Sequence, residues 1–467
     1  MSAVSPHSCR NGIAIERSPS FAERASFAAV EAAPRTSLWT RINTLACSAI
    51  GRNVAWCVAG SGVAQGGAFL SSVVLARVLG RKVFGEFALV QSTITALTYL
   101  ASLGLGLTAT KYISAYRATQ PERIGKVLAL SSLLVILAGL IFSVGLIVCA
   151  PFLAVRADHA NMTASLRIST VCIFFLNLTG YQLGILAGFE AFQRIAWSGA
   201  IAGLASPLLS WWGAHRFGLS GAVAAQCASA LLLWVLYEVA VRSECRKRGI
   251  SVEYRGAWAE RSILNRVAIP AAACGMVASL AGWGSNTILV RSSGYAELAL
   301  FSAASNMRSL VIFLPSLILR VVSPRLNFLF SNGALSRYSR VFWHTVSVNG
   351  GLALLGAVAV FLGGQQFLRL FGKEFAGPNR LLALILGSVV IEVIATNLYL
   401  ALFAGGRFWR NLGVMCLWTA LLLVGSAAAA PRYGAAGVAA AYLASWIVAG
   451  VLYASEARKQ TREGASS

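Results

Sequence analysis

Apolar residues run along this chain in blocks of about 20, the length a helix needs to cross the hydrocarbon core of a bilayer. The blocks are apolar on every side, as in VLALSSLLVILAGLIFSVGLIVCA at 127–150. They show neither the stripe of a soluble surface helix nor the alternation of a barrel strand. No water bonds the backbone inside lipid, so each block must close its hydrogen bonds internally as a helix. The pattern predicts spans at 54–76, 86–107, 127–150, 168–188, 195–213, 221–241, 267–290, 297–319, 342–363, 381–403, 411–430 and 436–455. Polar segments lie outside them: a stretch with Pro6, Pro19 and Pro34 at 1–52, expected to be a flexible tail, a loop at 242–266 and a tail at 456–467. The predicted fold class is therefore an all-α integral membrane protein with about 12 transmembrane helices.

Composition strengthens this picture. The chain of 467 residues is 57% hydrophobic and only 12% charged, with a mean hydropathy of +0.70. Soluble domains carry roughly 25% charged residues, so this chain lacks the polar atoms to cover a surface in water. A net charge of +23 would suit nucleic acid on a soluble domain, but the basic residues here sit between apolar blocks. The tendency of cytoplasmic loops to collect Lys and Arg explains them instead. It is steepest in RSECRKRGISVEYRGAWAERSILNR at 242–266, and it places that loop and both termini on the cytoplasmic side. The nine cysteines are scattered, none in a CxxC or Cys/His spacing, and read as small core residues.

The basic loop at 242–266 divides the chain into two halves, 53–241 and 267–455, and the halves repeat. HRFGLSGAVAA at 215–225 lines up with PRYGAAGVAAA at 431–441, pairing Arg216 with Arg432, Gly218 with Gly434 and Gly221 with Gly437. At the same offset Phe192 and Arg194 match Phe408 and Arg410, Leu236 and Tyr237 match Leu452 and Tyr453, and Arg242 matches Arg458. GEFAL at 85–89 resembles AELAL at 296–300, near the start of each half. Six spans per half make the repeat parallel, the arrangement of transporters that hold substrate between two rocking bundles.

ARVLGRKVFGEFALVQ at 76–91, SLGLGLTATKYIS at 102–114, LPSLILRVVSPRL at 314–326 and RLFGKEFAGPNRLLALILG at 369–387 resemble, in that order, segments of the oligosaccharide flippase (Wzx) family. That family belongs to a larger group, the MATE-related MOP superfamily, with lipid II flippases and multidrug extruders. The resemblance implies a MATE/MOP-like fold of two parallel six-helix repeats. It also implies an activity, the movement of a polyprenyl-pyrophosphate-linked oligosaccharide across the bacterial inner membrane for O-antigen, capsule or exopolysaccharide synthesis. Polysaccharide polymerase and export components are the partners it suggests. Lipid II flippases carry arginines in the first span, where this chain offers Gln65, which argues against lipid II as cargo.

Such a cargo needs a wet, polar cavity, so polar residues at helical spacing are the candidates. Span two offers Gln91, Thr95, Thr98 and Ser102, span one Ser61, Gln65 and Ser72, span four Asn177 and Tyr181, span ten Ser388, Glu392 and Thr396. Span eight is the most polar, with Ser302, Ser305, Asn306, Arg308 and Ser309. Ser and Thr in spans commonly serve only close helix packing. Arg308 differs, because it lies about eleven residues, or roughly 16 Å of helix rise, from either end of its span. Mid-membrane arginine costs at least about 2.5–3.5 kcal/mol, so it needs a cavity or a partner. Its planar fork suits bidentate binding of pyrophosphate, and an ion pair with Glu392 is the alternative. The expected substrate contacts are Arg308, Gln65, Ser305, Asn306, Gln91 and Asn177. Arg52 and Lys111 are expected to draw the anionic head in at the cytoplasmic face. Glu392, the only acid placed deep in a span, is the candidate for ion coupling.

Other function classes find little support. A multidrug extruder of the same fold would bind cations, against a positive interior with few buried acids. A membrane polymerase or transferase needs paired carboxylates, a nucleophile with its base, or a metal cluster. Asp158 is the only aspartate, the four histidines are far apart, and no phosphate-binding loop for ATP occurs. No catalytic residue, metal site, cofactor or nucleic-acid partner is expected. A structural scaffold would require neither a buried arginine nor a repeat.

Overall fold

The computed structural model describes residues 49–116, 121–156, 162–251, 269–331, 335–375, 379–404 and 408–463. The described residues are almost wholly helical: α1 (Ala49–Ser102), α2 (Leu105–Tyr116), α3 (Pro121–Arg156), α4 (Met162–Gly188), α5 (Phe192–Lys247), α6 (Ile269–Ser293), α7 (Tyr295–Ser331), α8 (Leu335–Phe371), a 3-10 turn (Lys373–Phe375), α9 (Asn379–Ala404) and α10 (Phe408–Glu463). Trp56–Ser467 forms one compact unit; Met1–Ala55 is a separate one, described only from Ala49. Most of the expected N-terminal tail (1–48 of 1–52) and most of the basic loop lie outside the described residues, and α1 begins inside the expected tail, at Ala49.

Among the described residues, nine helices are long and apolar enough to cross a membrane. Three of them, α1, α5 and α10, are broken by a glycine with positive φ: Gly80 (74°), Gly218 (57°) and Gly434 (55°). These backbone states disfavour a Cβ, so glycine sets where the helix turns. The two arms of α5, on either side of Gly218, correspond to the separate apolar blocks at 195–213 and 221–241. The arms of α5 fold back on each other: a Cβ at Gly221 would collide with the Gly213 carbonyl. In α10, a Cβ at Gly437 would lie 2.5 Å from the Ala429 carbonyl oxygen.

The sequence repeat has a structural counterpart. α5 and α10 each have 56 residues and break at equivalent glycines with nearly equal torsions, ψ −132° and −135°. Arg194 at the start of α5 pairs with Glu244 near its end at 2.8 Å, and Arg410 of α10 pairs with Glu456 at 2.9 Å. Tyr237 and Tyr453 are both buried.

The outer surface is apolar. α3 alone exposes Leu133, Leu137, Leu140, Ile141, Val144 and Val148, the last at 71%. A continuous apolar face of this size is stable against lipid and not against water. The core divides unevenly. One large cluster joins both halves around the glycine turns, with Leu75, Phe84 and Val90 meeting Leu298, Phe371 and Phe375. Towards the opposite end the halves keep separate cores, one around Leu105, Ile113 and Phe189, the other around Tyr338, Phe342 and Tyr453. The halves are thus packed together at one end and parted at the other, leaving space between them.

Candidate functional site

A cavity of about 940 Å³ occupies that space. It runs from Leu75 and Phe84 at the packed end to Gly275 and Tyr99, the latter 52% exposed. Both arms of α1 line it, with α5, α6, α7, α9 and α10. The polar face of α7 enters it as a stripe: Ser302, Ser305, Asn306, Arg308 and Ser309 recur at helical spacing.

Arg308 and Glu392 are the only charged side chains among the described lining residues. They bond to each other in fork fashion, Arg308 Nε donating to Glu392 Oε2 at 3.0 Å and Nη2 donating to Oε1 at 2.5 Å. The pair offsets part of the cost of burying both ions, and the charges of the described lining sum to zero. Asn306 Nδ2 donates to Ser72 Oγ at 2.9 Å, linking α7 to the first arm of α1. A second cavity of about 340 Å³ lies beside the first and shares Arg308 and Ser309 with it. Ser61, Gln65 and Ser316 give it a polar side; Ile312, Phe313 and Leu317 give it an apolar one.

The expected site residues therefore separate. Gln91, Ser305, Asn306, Arg308 and Glu392 converge on the large cavity, and Gln65 lines the smaller one. Asn177 is placed elsewhere: it is buried between α3 and α4, where its Nδ2 donates to the Val135 carbonyl at 2.9 Å. A buried amide satisfies its hydrogen bonds against whatever backbone it meets, and here that is a neighbouring helix rather than a cavity. Lys111 is exposed on α2, its ammonium 6.0 Å from the Tyr112 ring centroid. The Arg52 side chain lies outside the described residues. The sequence reading missed Ser206, Ser210 and Gln226 of α5, and Trp283, Trp418, Tyr442 and Trp446 of α6 and α10. The aromatic ones carried no signal, since a ring in an apolar block reads the same facing lipid or cavity.

At the packed end, polar groups cross between the halves. Arg77 Nε donates to the Leu370 carbonyl at 2.6 Å, and Arg81 donates to the Ala296 carbonyl at 3.1 Å and to Glu297 Oε1 at 3.2 Å. Glu297 also accepts the Ala435 amide at 3.0 Å. Phe69, Phe84, Phe371 and Phe375 form a ring cluster beneath them, with centroids 5.8–6.3 Å apart.

The sequence profile of the family described as polysaccharide biosynthesis protein matches residues 50–329. No curated protein matches the chain by sequence. The fold is similar to a multidrug resistance MATE family transporter of the MOP superfamily in its inward-facing conformation, with TM-score 0.74, 14% identity, 88% of this chain and 99% of that one. It is also similar to a MOP superfamily transporter from Pyrococcus furiosus, whose binding pocket is described as of reverse polarity (TM-score 0.71, 16% identity, 92% and 99%). The outward-facing form of a MATE transporter gives TM-score 0.64 at 14% identity, over 89% and 96%. The architecture is that of these multi-pass membrane transporters.

Proposed function

This chain belongs to the polysaccharide biosynthesis protein family, and from that premise we propose that it is a flippase. Its cargo is a polyprenyl-pyrophosphate-linked oligosaccharide, moved from the cytoplasmic to the outer leaflet of the inner membrane by alternating access. Both termini are cytoplasmic in this reading, and the halves 53–241 and 267–455 rock about the cavity between them.

The observation that carries the reading is the chemistry of that cavity. It is large, and its described lining holds neutral hydroxyls and amides with one ion pair that cancels itself. A sugar head needs such neutral donors and acceptors. The pyrophosphate reaches Arg308 by exchanging with the Glu392 carboxylate, which presents the same pair of acceptor oxygens to the guanidinium. The smaller cavity, which shares Arg308 and has a mixed polar and apolar lining, is the route this reading assigns to the start of the polyprenyl chain. An extruder of organic cations would use the converse exchange, a cation displacing Arg308 from Glu392, and loss of surface polymer on gene deletion separates the two readings.

Deleting the gene, with any redundant flippase removed, should abolish surface polymer and trap the lipid-linked oligosaccharide in the inner leaflet. Arg308→Ala should fail to restore the polymer, and Arg308→Lys, a point charge without the fork, should restore it poorly. Unchanged polymer with raised sensitivity to cationic drugs would overturn the reading in favour of an extruder.

A further inference from the structure

The internal repeat is closely kept in the scaffold and abandoned at the cavity. The offset that relates Arg194 to Arg410 and Gly218 to Gly434 also relates Ala202 to Trp418, Gln226 to Tyr442 and Ala230 to Trp446. All three aromatic members line the cavity, and of their counterparts only Gln226 does. One side of the cavity thus carries Ser206, Ser210, Gln226 and Ser229 from α5, and the other carries rings from α10.

The rings form one connected surface. Trp418 and Trp446 have centroids 4.9 Å apart at 44°, and Trp418 meets Tyr442 edge-on at 6.2 Å. Phe301 of α7 extends the surface, 5.9 Å from Tyr442. Trp418 and Trp446 are 5% and 8% exposed, and neither indole N–H has a hydrogen-bond partner. Across the cavity the side-chain oxygens of Gln91 and Gln226 are also buried without partners. Of the nine such orphaned polar atoms among the described residues, these four belong to this one lining. A buried donor or acceptor left unmet is costly, so their concentration here marks a place where something else completes them.

We infer that this aromatic surface and the facing amides form a subsite for the uncharged sugar units of the cargo. The inference rests on the flippase reading and deepens it. A pyranose ring presents C–H groups on its faces and hydroxyls around its edge. The faces suit the surface of an aromatic ring, offered here by the partly exposed Tyr442 with the edges of the more enclosed Trp418 and Trp446 beside it. The hydroxyls both donate and accept, so they meet indole N–H groups on one side and glutamine oxygens on the other. Because Arg308 and Glu392 cancel, neutral residues enter this part of the cavity without a charge penalty, whereas a uronic acid would need a counter-ion there. A hydrophobic cation is also attracted to aromatic faces, and it is the competing occupant the test must address.

The full-length protein in lipid nanodiscs would be probed by saturation-transfer NMR with maltotriose, trigalacturonate and tetraphenylphosphonium. Maltotriose should receive saturation on its ring protons, and trigalacturonate much less. Trp446→Ala should weaken maltotriose about tenfold. Trp446→Phe, which keeps a ring and removes the N–H, should fall between. The Phe variant guards against misfolding, and its thermal unfolding should match wild type. Equal transfer to wild type and Trp446→Ala, or binding of tetraphenylphosphonium alone, overturns the subsite. The flippase reading fails separately: it falls if gene deletion traps no lipid-linked oligosaccharide. If deletion does trap it but Trp446→Ala restores full polymer, the subsite falls and the flippase stands.

Discussion

Removing one member of the Arg308–Glu392 pair leaves the other charged inside the membrane domain. Losing one partner of a fully buried pair costs about 3–5 kcal/mol; Arg308 is about one-third exposed to the cavity, so water reduces this to about 1–3 kcal/mol. Glu392→Gln should therefore lower the unfolding temperature of the protein in detergent. Adding Arg308→Gln should recover most of that stability, because two neutral side chains need no counter-ion. If Arg308 serves only Glu392, the double variant should transport as well as Glu392→Gln alone; if it binds pyrophosphate, stability returns but transport falls below that of Glu392→Gln. Measuring both properties on the wild type and the two variants separates the roles. At this scale the sequence was informative: an arginine this deep demanded a cavity or an acid, and only Glu392 lay deep enough to answer. It has both.

Among the elements, the broken helices α5 and α10 test how far the repeat is equivalent. Each turns on a glycine in a backbone state that costs a residue with a Cβ about 1–3 kcal/mol. Around Gly218 an added Cβ would find open space, whereas at Gly434 it would lie 2.6 Å from the Glu297 carboxylate. Gly434→Ala should thus destabilise more than Gly218→Ala, and should also disturb the bond from the Ala435 amide to Glu297. Thermal unfolding of the two variants side by side checks this; equal losses would mean that the carboxylate moves aside freely. The pairing of these two glycines was readable from HRFGLSGAVAA and PRYGAAGVAAA. That they break a helix was not, because an isolated glycine is tolerated inside a helix unless neighbouring helices fix a turn there.

On the scale of the whole molecule, the cavity is closed at the end where the glycine turns meet. Arg81 and Glu297 are each about one-third exposed, and such a pair contributes about 0–1 kcal/mol. Several weak contacts over a small cluster of rings close this end, and the proposed alternating access would require them to part and reform. Arg81→Glu should loosen it. A cysteine at Ser302, in a background free of other cysteines, should then react faster with a membrane-impermeant thiol reagent added from the side opposite the termini. Adding Glu297→Arg should restore slow reaction in part, the bonds of Arg81 and Glu297 to backbone remaining altered. No change in rate would assign the pair a static role.

The sequence alone determined the all-helical membrane fold and the correspondence of α5 with α10. These follow from local requirements: an apolar block about 20 residues long must be a helix in lipid, and a repeated pattern repeats its structure. It also found the polar stripe of α7, because 3.6-residue spacing puts Ser302, Ser305, Asn306 and Ser309 near one face whatever that face meets. What that face meets was decided only by packing. Asn177 looked like a cavity residue and instead bonds a carbonyl of the neighbouring helix. In the sequence, nothing separates Trp418 and Trp446, which line the cavity, from Trp211 and Trp212, which are 53% and 58% exposed on the outer surface. The composition of a span is fixed by the solvent it crosses, but its rotation about its own axis is fixed by its neighbours, and on that rotation the site depends.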